Sequence, residues 1–186
     1  VDLGLPSGTL WATYNIGASK PEEVGDYFSW GETENKDYYN WSSYKWCISN
    51  NGCLNLLTKY NLGHYYNGTI DNLQTLLTQD DVASAKWGSE WRMPTNDEFQ
   101  ELIDNCEWKW TAQNGVNGYK VTGPNGNSIF LPAAGYRYGS SLINDGYFVV
   151  EGTVVKREAD GFLVDIGAKG EAYLPDREVT SSHDKK

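Results

Sequence analysis

Apolar residues recur at helical spacing over one stretch in the middle of the chain. Thr95 is followed three residues later by Glu98, the capping-box pattern that begins many helices. The apolar positions that follow share one face of that helix; they are Phe99, Leu102, Ile103 and Cys106. We predict a helix starting at Thr95 whose apolar face lies in the core.

A second, shorter helix is predicted to begin at the acidic pair Asp80–Asp81. It carries Val82, Ala85 and Lys86. Negative side chains are favourable at the positive end of a helix dipole, so we interpret this acidic pair as helix-terminal charge.

Short alternating runs predict strands elsewhere. One is expected over 10–16, and a hairpin over 118–122 and 128–131, turning at 124–127. Near the end of the chain, three more strands are expected over 149–157, 162–167 and 171–174. Asn-Gly pairs predict turns in the rest of the sequence. The pattern predicts an α+β fold that is rich in loops, with two short helices and small antiparallel sheets.

Composition divides the chain near residue 148. All 8 Trp residues lie between Trp11 and Trp110, and the last Asn is Asn144. The following segment is rich in Val, Glu and Lys. We therefore predict one domain over 1–148, a strand-forming segment over 149–180 and a frayed tail over 181–186.

Charge and histidine content narrow the function classes. The formal net charge of -10 disfavours general binding to nucleic acid. Only His64 and His183 are present, which leaves little material for a catalytic triad or a histidine metal site. No apolar run is long enough for a membrane span. We predict no cofactor and no metal, and we expect the oxygen-rich loop residues to be solvated; these are Asp37, Asn40, Asp71, Asn72, Asn125 and Asn127.

The 3 cysteines leave two alternatives open. Cys47 and Cys53 flank a short loop and could form a disulfide, which would suit an exported protein, or they could be free thiols. Cys106 lies on the apolar helix face and is expected to be a buried, unreactive thiol.

Tyr and Trp side chains are the strongest functional indication in the residues themselves. Exposed aromatic rings beside Asn and Asp are typical of protein or sugar recognition, although many of these rings could instead pin loops onto the core. The predicted ligand-binding residues are Tyr38, Tyr39, Trp41, Tyr65, Tyr66, Tyr136 and Tyr138.

Four ordered motifs resemble a known family. They are Val-Asp-Leu-Gly-Leu-Pro-Ser-Gly-Thr-Leu-Trp-Ala-Thr at 1–13, Gly-Asp-Tyr-Phe-Ser-Trp-Gly-Glu at 25–32, Trp-Gly-Ser-Glu-Trp-Arg-Met-Pro-Thr-Asn-Asp-Glu-Phe at 87–99 and Leu-Pro-Ala-Ala-Gly-Tyr-Arg at 131–137. Together they resemble the Fibrobacter succinogenes major paralogous domain of Bacteroidetes surface proteins. The resemblance covers about 1–147 and implies a C-type lectin-like fold, an extracellular or cell-surface location, a buried Arg92 and a helix cap at Thr95.

The third motif is also similar to the Legionella collagen-like protein C-terminal domain and to the sulfatase-modifying (formylglycine-generating) enzymes. Those enzymes use a cysteine pair in their C-terminal half, which Cys106 alone does not match. The calcium motifs of lectins, Glu-Pro-Asn and Trp-Asn-Asp, are absent from the sequence. We therefore expect neither that activity nor calcium-dependent sugar binding.

The segment after residue 148 resembles part of another family. Glu-Gly-Thr-Val-Val at 151–155 and the run 161–175 are similar to the first three strands of the ribosomal S-one-type RNA-binding domain, an OB fold. The resemblance implies RNA contacts at Phe162, Lys169 and Tyr173. A partial barrel and an acidic chain make nucleic acid an improbable partner. The length of this match favours a fusion, natural or engineered. The alternatives are a mis-joined fragment, or a chance resemblance in strands that close the first domain.

These observations favour a non-catalytic, cell-surface or secreted module that binds glycan or protein through aromatic loop residues. The alternatives are RNA binding through the OB-like segment and a degenerate enzyme of the sulfatase-modifying type. The sequence begins at Val1 without an apolar leader, so we expect a mature form or fragment whose export signal lies outside it.

Overall fold

The structure, a computed structural model, describes residues 1–50, 53–63, 67–143, 149–150, 165–166 and 172–173. Within these residues the chain forms short helices and small sheets joined by long loops, the mixed α+β class that the pattern predicted. The helices are α1 (Val82–Trp87) and α2 (Asn96–Asn105), with short 3-10 turns at Trp41–Ser43 and Thr78–Asp80. None of the described helices has the length and apolar character needed to cross a bilayer.

The strands in the described part of the chain form four small sheets. In chain order they are β1 (Cys47–Asn50), β2 (Cys53–Leu57), β3 (Asn67–Gly68), β4 (Glu107–Gln113), β5 (Val116–Thr122), β6 (Ser128–Pro132), β7 (Tyr136–Tyr138), β8 (Ser141–Ile143), β9 (Val149–Val150), β10 (Asp165–Ile166) and β11 (Ala172–Tyr173). The sheets have the orders β1-β2-β3, β4-β5-β6, β7-β8 and β9-β10-β11. Among these described strands, β2 and β3 are the one parallel pair.

The predicted hairpin is confirmed. Strands β5 and β6 pair antiparallel with Thr122 opposite Ser128 and Val121 opposite Ile129. The turn between them also ties down the start of the chain, since the side-chain amides of Asn125 and Asn127 donate to the Asp2 carbonyl at 3.0 and 2.8 Å. Two of the oxygen-rich loop residues are thus structural.

Both predicted helices are confirmed, with their caps. Asp81 is the N-cap of α1, and Thr95 caps α2 by accepting a hydrogen bond from the Glu98 amide. On α2, Phe99 and Leu102 are buried in the main core. That core joins α2 to β5, β6 and the start of the chain; its buried members are Leu3, Leu5, Trp11, Phe99, Leu102, Tyr119, Val121, Ile129 and Ala133.

The strand predicted over 10–16 is wrong. This segment has only one isolated bridge, between Asp2 and Leu10. The paired chain is too short to extend the ladder, because Gly4 turns away with a φ of 73°. Residues 10–16 instead form a loop beside α1, and Ile16 shares a second small core with Val82 and Ala83 at the start of α1.

Near the end of the chain, β9, β10 and β11 form an antiparallel sheet, with Asp165 opposite both Val150 and Tyr173. Each of the three predicted tail strands contains one of these short strands. The other residues of those predicted strands lie outside the described part of the chain.

Candidate functional site

An open cleft of about 380 Å³ lies between three parts of the chain. One wall is the loop 9–16, the second is the segment from the end of α1 to Pro94, and the third is the middle of β6. Its volume is within the range of about 300–1,000 Å³ that is usual for small-molecule sites. We call it the tryptophan cleft.

Three aromatic rings form a continuous row in the tryptophan cleft. Tyr14 meets Trp87 edge to face with ring centroids 6.1 Å apart, and Trp87 meets Trp91 in the same way at 5.3 Å. Such edge-to-face pairs are favourable and fix the relative orientation of the rings. Tyr14 and Trp91 are each 38% exposed, so the two ends of the row face solvent.

The loop that carries Trp91 is fixed at both ends. After α1, Gly88 takes a φ of 96°, in the region that favours glycine, and its carbonyl accepts from the Trp91 amide at 2.9 Å. The Ser84 hydroxyl donates to the Trp91 carbonyl at 2.7 Å. The buried carboxylate of Asp81 caps α1 with one oxygen and accepts from the Met93 amide at 2.8 Å with the other. The acidic residue predicted as dipole charge therefore also holds this loop.

Arg92 and Glu98 form a forked ion pair at the rim of the tryptophan cleft. One guanidinium nitrogen donates to Glu98 Oε2 at 2.7 Å and the other donates to Oε1. Glu98 Oε2 also accepts from the Thr95 amide at 2.9 Å, so the helix cap orients the pair. The expectation of a buried Arg92 is wrong: its side chain is 52% exposed, because its partner lies on the outer face of the first turn of α2.

The ion pair shifts the pKa values of both Arg92 and Glu98. The hydrogen bond from Arg92 lowers the pKa of Glu98 to about 2, with a further contribution from the Thr95 amide. The same hydrogen bond raises the pKa of Arg92. Glu98 is therefore ionised at neutral pH and is an acceptor only.

Trp11 lines the tryptophan cleft, but its indole N–H is covered by protein. Its side chain packs edge to face against Phe99 at 6.0 Å and is 9% exposed. Among the described residues, its indole N–H is the buried side-chain polar group without a hydrogen-bond partner. A buried donor left unpaired costs roughly 1–3 kcal/mol, and a ligand could reach this one only if the surrounding side chains moved.

The ligand-binding residues predicted from the sequence lie elsewhere, and the structure brings only some of them together. The Tyr39 and Gly139 backbones form a bridge, with N–H···O distances of 2.8 and 2.7 Å. It places Tyr38, which is 51% exposed, near Tyr138 at 66%. Tyr136 and Trp41 are half-buried. We call Tyr38 and Tyr138 the tyrosine surface.

The prediction that Tyr39 contacts a ligand is wrong, because Tyr39 is buried and its hydroxyl forms hydrogen bonds within the protein. It is 2% exposed, donates to the Tyr27 carbonyl at 2.6 Å and accepts from the Lys36 amide at 2.9 Å. Tyr39 thus pins its loop to the core, the alternative role considered for these rings. Tyr65 and Tyr66 lie outside the described residues, as do Phe162, Lys169 and the side chain of Tyr173, so those predictions stay predictions.

A second aromatic cluster joins the residues that flank β1 and β2 to the 3-10 turn at Thr78–Asp80. Asp80 accepts from the Tyr60 hydroxyl at 2.7 Å and from Lys59, while Lys59 lies 4.6 Å from the Trp46 ring centroid. Burial acts to raise the pKa of Asp80, but the hydrogen bonds from Lys59 and Tyr60 outweigh it, and that pKa is lowered. Burial raises the pKa of Tyr60. We call Trp46, Lys59, Tyr60 and Asp80 the Asp80 cluster.

The hairpin register decides the cysteine alternatives. Cys47 lies opposite Leu57, whereas Cys53 lies opposite Asn50. The two cysteines are therefore about 10 Å apart along the hairpin, beyond the roughly 7 Å that a disulfide can span between Cα atoms. Cys47 is a free thiol, and so is half-buried Cys106, whose pKa is raised by burial.

Within the described part of the chain, no group of three or more His, Cys, Asp and Glu side chains is placed to hold a metal ion. Asp71 accepts instead from the amides of Tyr60 and Asn61 at 2.8 and 2.9 Å.

No family model, characterised protein or solved structure matches this chain.

Sequence reasoning missed the tryptophan cleft. Tyr14 was assigned to a strand, and Trp87 and Trp91 entered only as part of a family motif. A usable signal was present: Trp87 and Trp91 flank a Gly-Ser-Glu turn that cannot continue α1, which favours surface positions for at least one ring.

Proposed function

We propose that this chain is a non-catalytic ligand-binding module that recognises glycan or protein through exposed aromatic side chains. The observation that carries the proposal is the tryptophan cleft, where the rings of Tyr14 and Trp91 are exposed beside a fixed ion pair. A concave, mostly apolar site with a few oriented polar groups is the usual form of a binding site.

The pinned loop supports binding without a large ordering cost. The hydrogen bonds from Ser84 to the Trp91 carbonyl and from the Met93 amide to Asp81 hold the loop in place before any ligand arrives. A preformed site loses less conformational freedom on binding than a mobile one, which leaves more of the contact energy for affinity.

The pKa of Glu98 weighs against one catalytic role in the cleft, that of a general acid. Glu90 and Glu98 are its only carboxylates among the described lining residues. Glycoside hydrolysis needs one of two carboxyl groups to be protonated as the general acid. Glu98, with a pKa of about 2, is a poor candidate for that group at neutral pH.

The proposal also includes the finer fold and location implied by the sequence resemblance. A loop-rich α+β chain with two short helices and small sheets is compatible with a C-type lectin-like fold. In that reading the module would be displayed at a cell surface or secreted.

Binding should be tested on a glycan array and by pulldown with candidate cell-surface proteins, using the full chain. Trp91→Ala removes an exposed ring from the tryptophan cleft, and Tyr138→Ala removes one from the tyrosine surface. We expect the first variant to lose binding and the second to keep it. Loss only in Tyr138→Ala would move the site to the tyrosine surface, and a folded wild-type chain that binds nothing in either assay would refute the proposal.

A further inference from the structure

We infer that the tryptophan cleft binds an uncharged sugar ring without a metal ion. The inference rests on the proposed function and specifies its ligand. It follows from three features of the cleft, which are the exposed rings, the unused hydrogen-bonding groups and the balance of charge.

The exposed rings suit one face of a sugar. A pyranose has a face of C–H groups, and the flat, amphipathic side chains of Tyr and Trp can pack against such a face. Tyr14 and Trp91 each expose more than a third of their surface at opposite ends of the aromatic row. The contact from Trp87 holds both rings in place, so either can act as a rigid platform.

The polar groups of the cleft suit hydroxyl groups. A guanidinium has five N–H donors, and the described contacts of Arg92 use three, two to Glu98 and one to the Met93 carbonyl. Two donors of a fixed, planar group are left. The exposed Glu90, which has no described ion-pair or hydrogen-bond partner, adds acceptor oxygens. Hydroxyl groups both donate and accept, so a sugar can use both residues.

The charge balance disfavours an acidic ligand. The charged residues lining the cleft are Glu90, Arg92 and Glu98. Since Glu98 neutralises Arg92 in a close pair, no cation is free to balance a ligand carboxylate or sulfate, and Glu90 would repel it.

The ring arrangement also disfavours a quaternary ammonium ligand. Such cations sit between aromatic faces. Here the rings of Tyr14, Trp87 and Trp91 contact one another directly, with centroids 6.1 and 5.3 Å apart, and leave no gap between successive rings.

The test is an array of neutral glycans, each matched with a uronic acid or sulfated form, read in buffer containing EDTA. The strongest neutral hit is then titrated by calorimetry, with choline chloride as a cationic probe. We expect neutral glycans to bind in EDTA, and their acidic counterparts to bind at least about tenfold more weakly, because repulsion by Glu90 is uncompensated.

Two variants locate the contacts. Trp91→Ala should weaken binding of the neutral glycan by at least about tenfold, through loss of the platform. Arg92→Lys keeps the charge and loses the planar fork, and we expect about fivefold weaker binding. Tyr138→Ala, on the tyrosine surface, is the matched control and should bind as the wild type does. Both cleft residues are exposed, so melting temperatures should confirm that the variants fold.

The outcomes separate this inference from the proposed function. Preferential binding of acidic glycans, abolished by Trp91→Ala, would overturn the assignment to an uncharged sugar. Binding of choline or of a protein alone, abolished by the same change, would overturn the sugar assignment, and each of these results would keep the binding module. Loss of neutral-glycan binding in EDTA would overturn the metal-free mode. Wild-type protein that is folded and binds no probe would overturn both.

Discussion

The Asp80 cluster and the tryptophan cleft use the same residue types in opposite ways. In the Asp80 cluster the Trp46 indole donates to the Gly31 carbonyl at 2.8 Å, and the hydroxyl of fully buried Tyr60 donates to Asp80. In the cleft, the Trp11 indole has no described partner and Trp91 is 38% exposed. One cluster has its polar groups satisfied internally, and the other has groups left over for a ligand.

The difference teaches how to divide an aromatic-rich chain into structural and binding parts. Ring content alone does not separate them, since both regions contain Trp, Tyr, a cation and a carboxylate. The two regions are separated by whether their hydrogen-bonding groups are paired within the protein, because a folded protein pairs nearly all of its buried polar atoms. Changes in the Asp80 cluster should therefore lower stability, whereas changes in the tryptophan cleft should lower binding.

The largest effect is expected from Asp80→Asn. This change removes the charge that Lys59 pairs with in a site where the Asp80 side chain is 4% exposed. Breaking a buried ion pair by neutralising one partner typically costs about 3–5 kcal/mol. Urea unfolding followed by fluorescence should show that loss.

The matched control is Glu34→Gln, in the exposed pair of Lys86 and Glu34, where Glu34 is 79% exposed. Exposed pairs contribute roughly 0–1 kcal/mol, so this variant should unfold close to the wild type. Equal losses in the two variants would contradict the structural role given to Asp80.

Acid should produce the next largest effect. The pKa of Glu98 is about 2 in the folded protein, below its ordinary value of 4.5. A carboxyl group whose pKa is lowered by folding stabilises the protein above its unfolded pKa. That contribution should decline as the pH falls below about 4.5 and should be lost by about 2. After allowance for solvent screening of half-exposed Arg92, we expect about 2 kcal/mol from this group.

Unfolding curves of the wild type and Glu98→Gln between pH 2 and 6 would measure this contribution. The variant should be less stable at pH 6, and its stability should fall less steeply towards pH 2. Parallel curves for the two proteins would contradict the lowered pKa of Glu98.

A smaller effect is expected from Thr95→Ala. The change removes the hydroxyl that accepts from the Glu98 amide at 3.3 Å. Loss of such an N-cap costs about 1 kcal/mol. Thr95→Ser keeps the hydroxyl and should recover most of the loss in the same urea titration. If serine gives no recovery, the cost is due to packing of the threonine methyl group and not to the cap.

The smallest effect on stability is expected from Trp91→Ala in the tryptophan cleft. Because the ring is partly exposed and its loop is held by hydrogen bonds of the Trp91 backbone to Ser84 and Gly88, we expect a loss of at most about 1 kcal/mol, most of it from the edge-to-face contact with Trp87. Thermal unfolding should show nearly equal midpoints for variant and wild type. A loss comparable to that of Asp80→Asn would mean that Trp91 is part of the core.

The elements that depend on neighbouring residues could be predicted from the sequence. The capping box of Thr95 and Glu98 is complete within four residues, and the β5–β6 turn contains its own Pro-Asn-Gly signal. Their physical causes are local, so the order of residues is enough. The strand predicted over 10–16 failed because a strand needs a partner, and within the described residues Asp2 alone pairs with this segment.

The candidate site could not be predicted in the same way because three distant segments form it. Tyr14, Trp91 and Phe130 line one cleft although they are far apart in the chain. Exposure also depends on partners that the sequence does not show. Arg92 was expected inside because of its aromatic neighbours, but its pairing with Glu98 holds it at the surface. Tyr39 was predicted to contact a ligand, but it is buried, because its hydroxyl donates to the backbone carbonyl of Tyr27.

The central claim is that the tryptophan cleft, and not another aromatic region, takes the ligand. The most direct measurement is the set of indole N–H signals of the 8 Trp residues in a nitrogen-15 NMR spectrum, recorded with and without the strongest neutral glycan from the array. We predict that the signals of Trp11, Trp87 and Trp91 shift on binding while the Trp46 signal stays in place. A shift of Trp46 or Trp41 with the three cleft signals unchanged would contradict the claim.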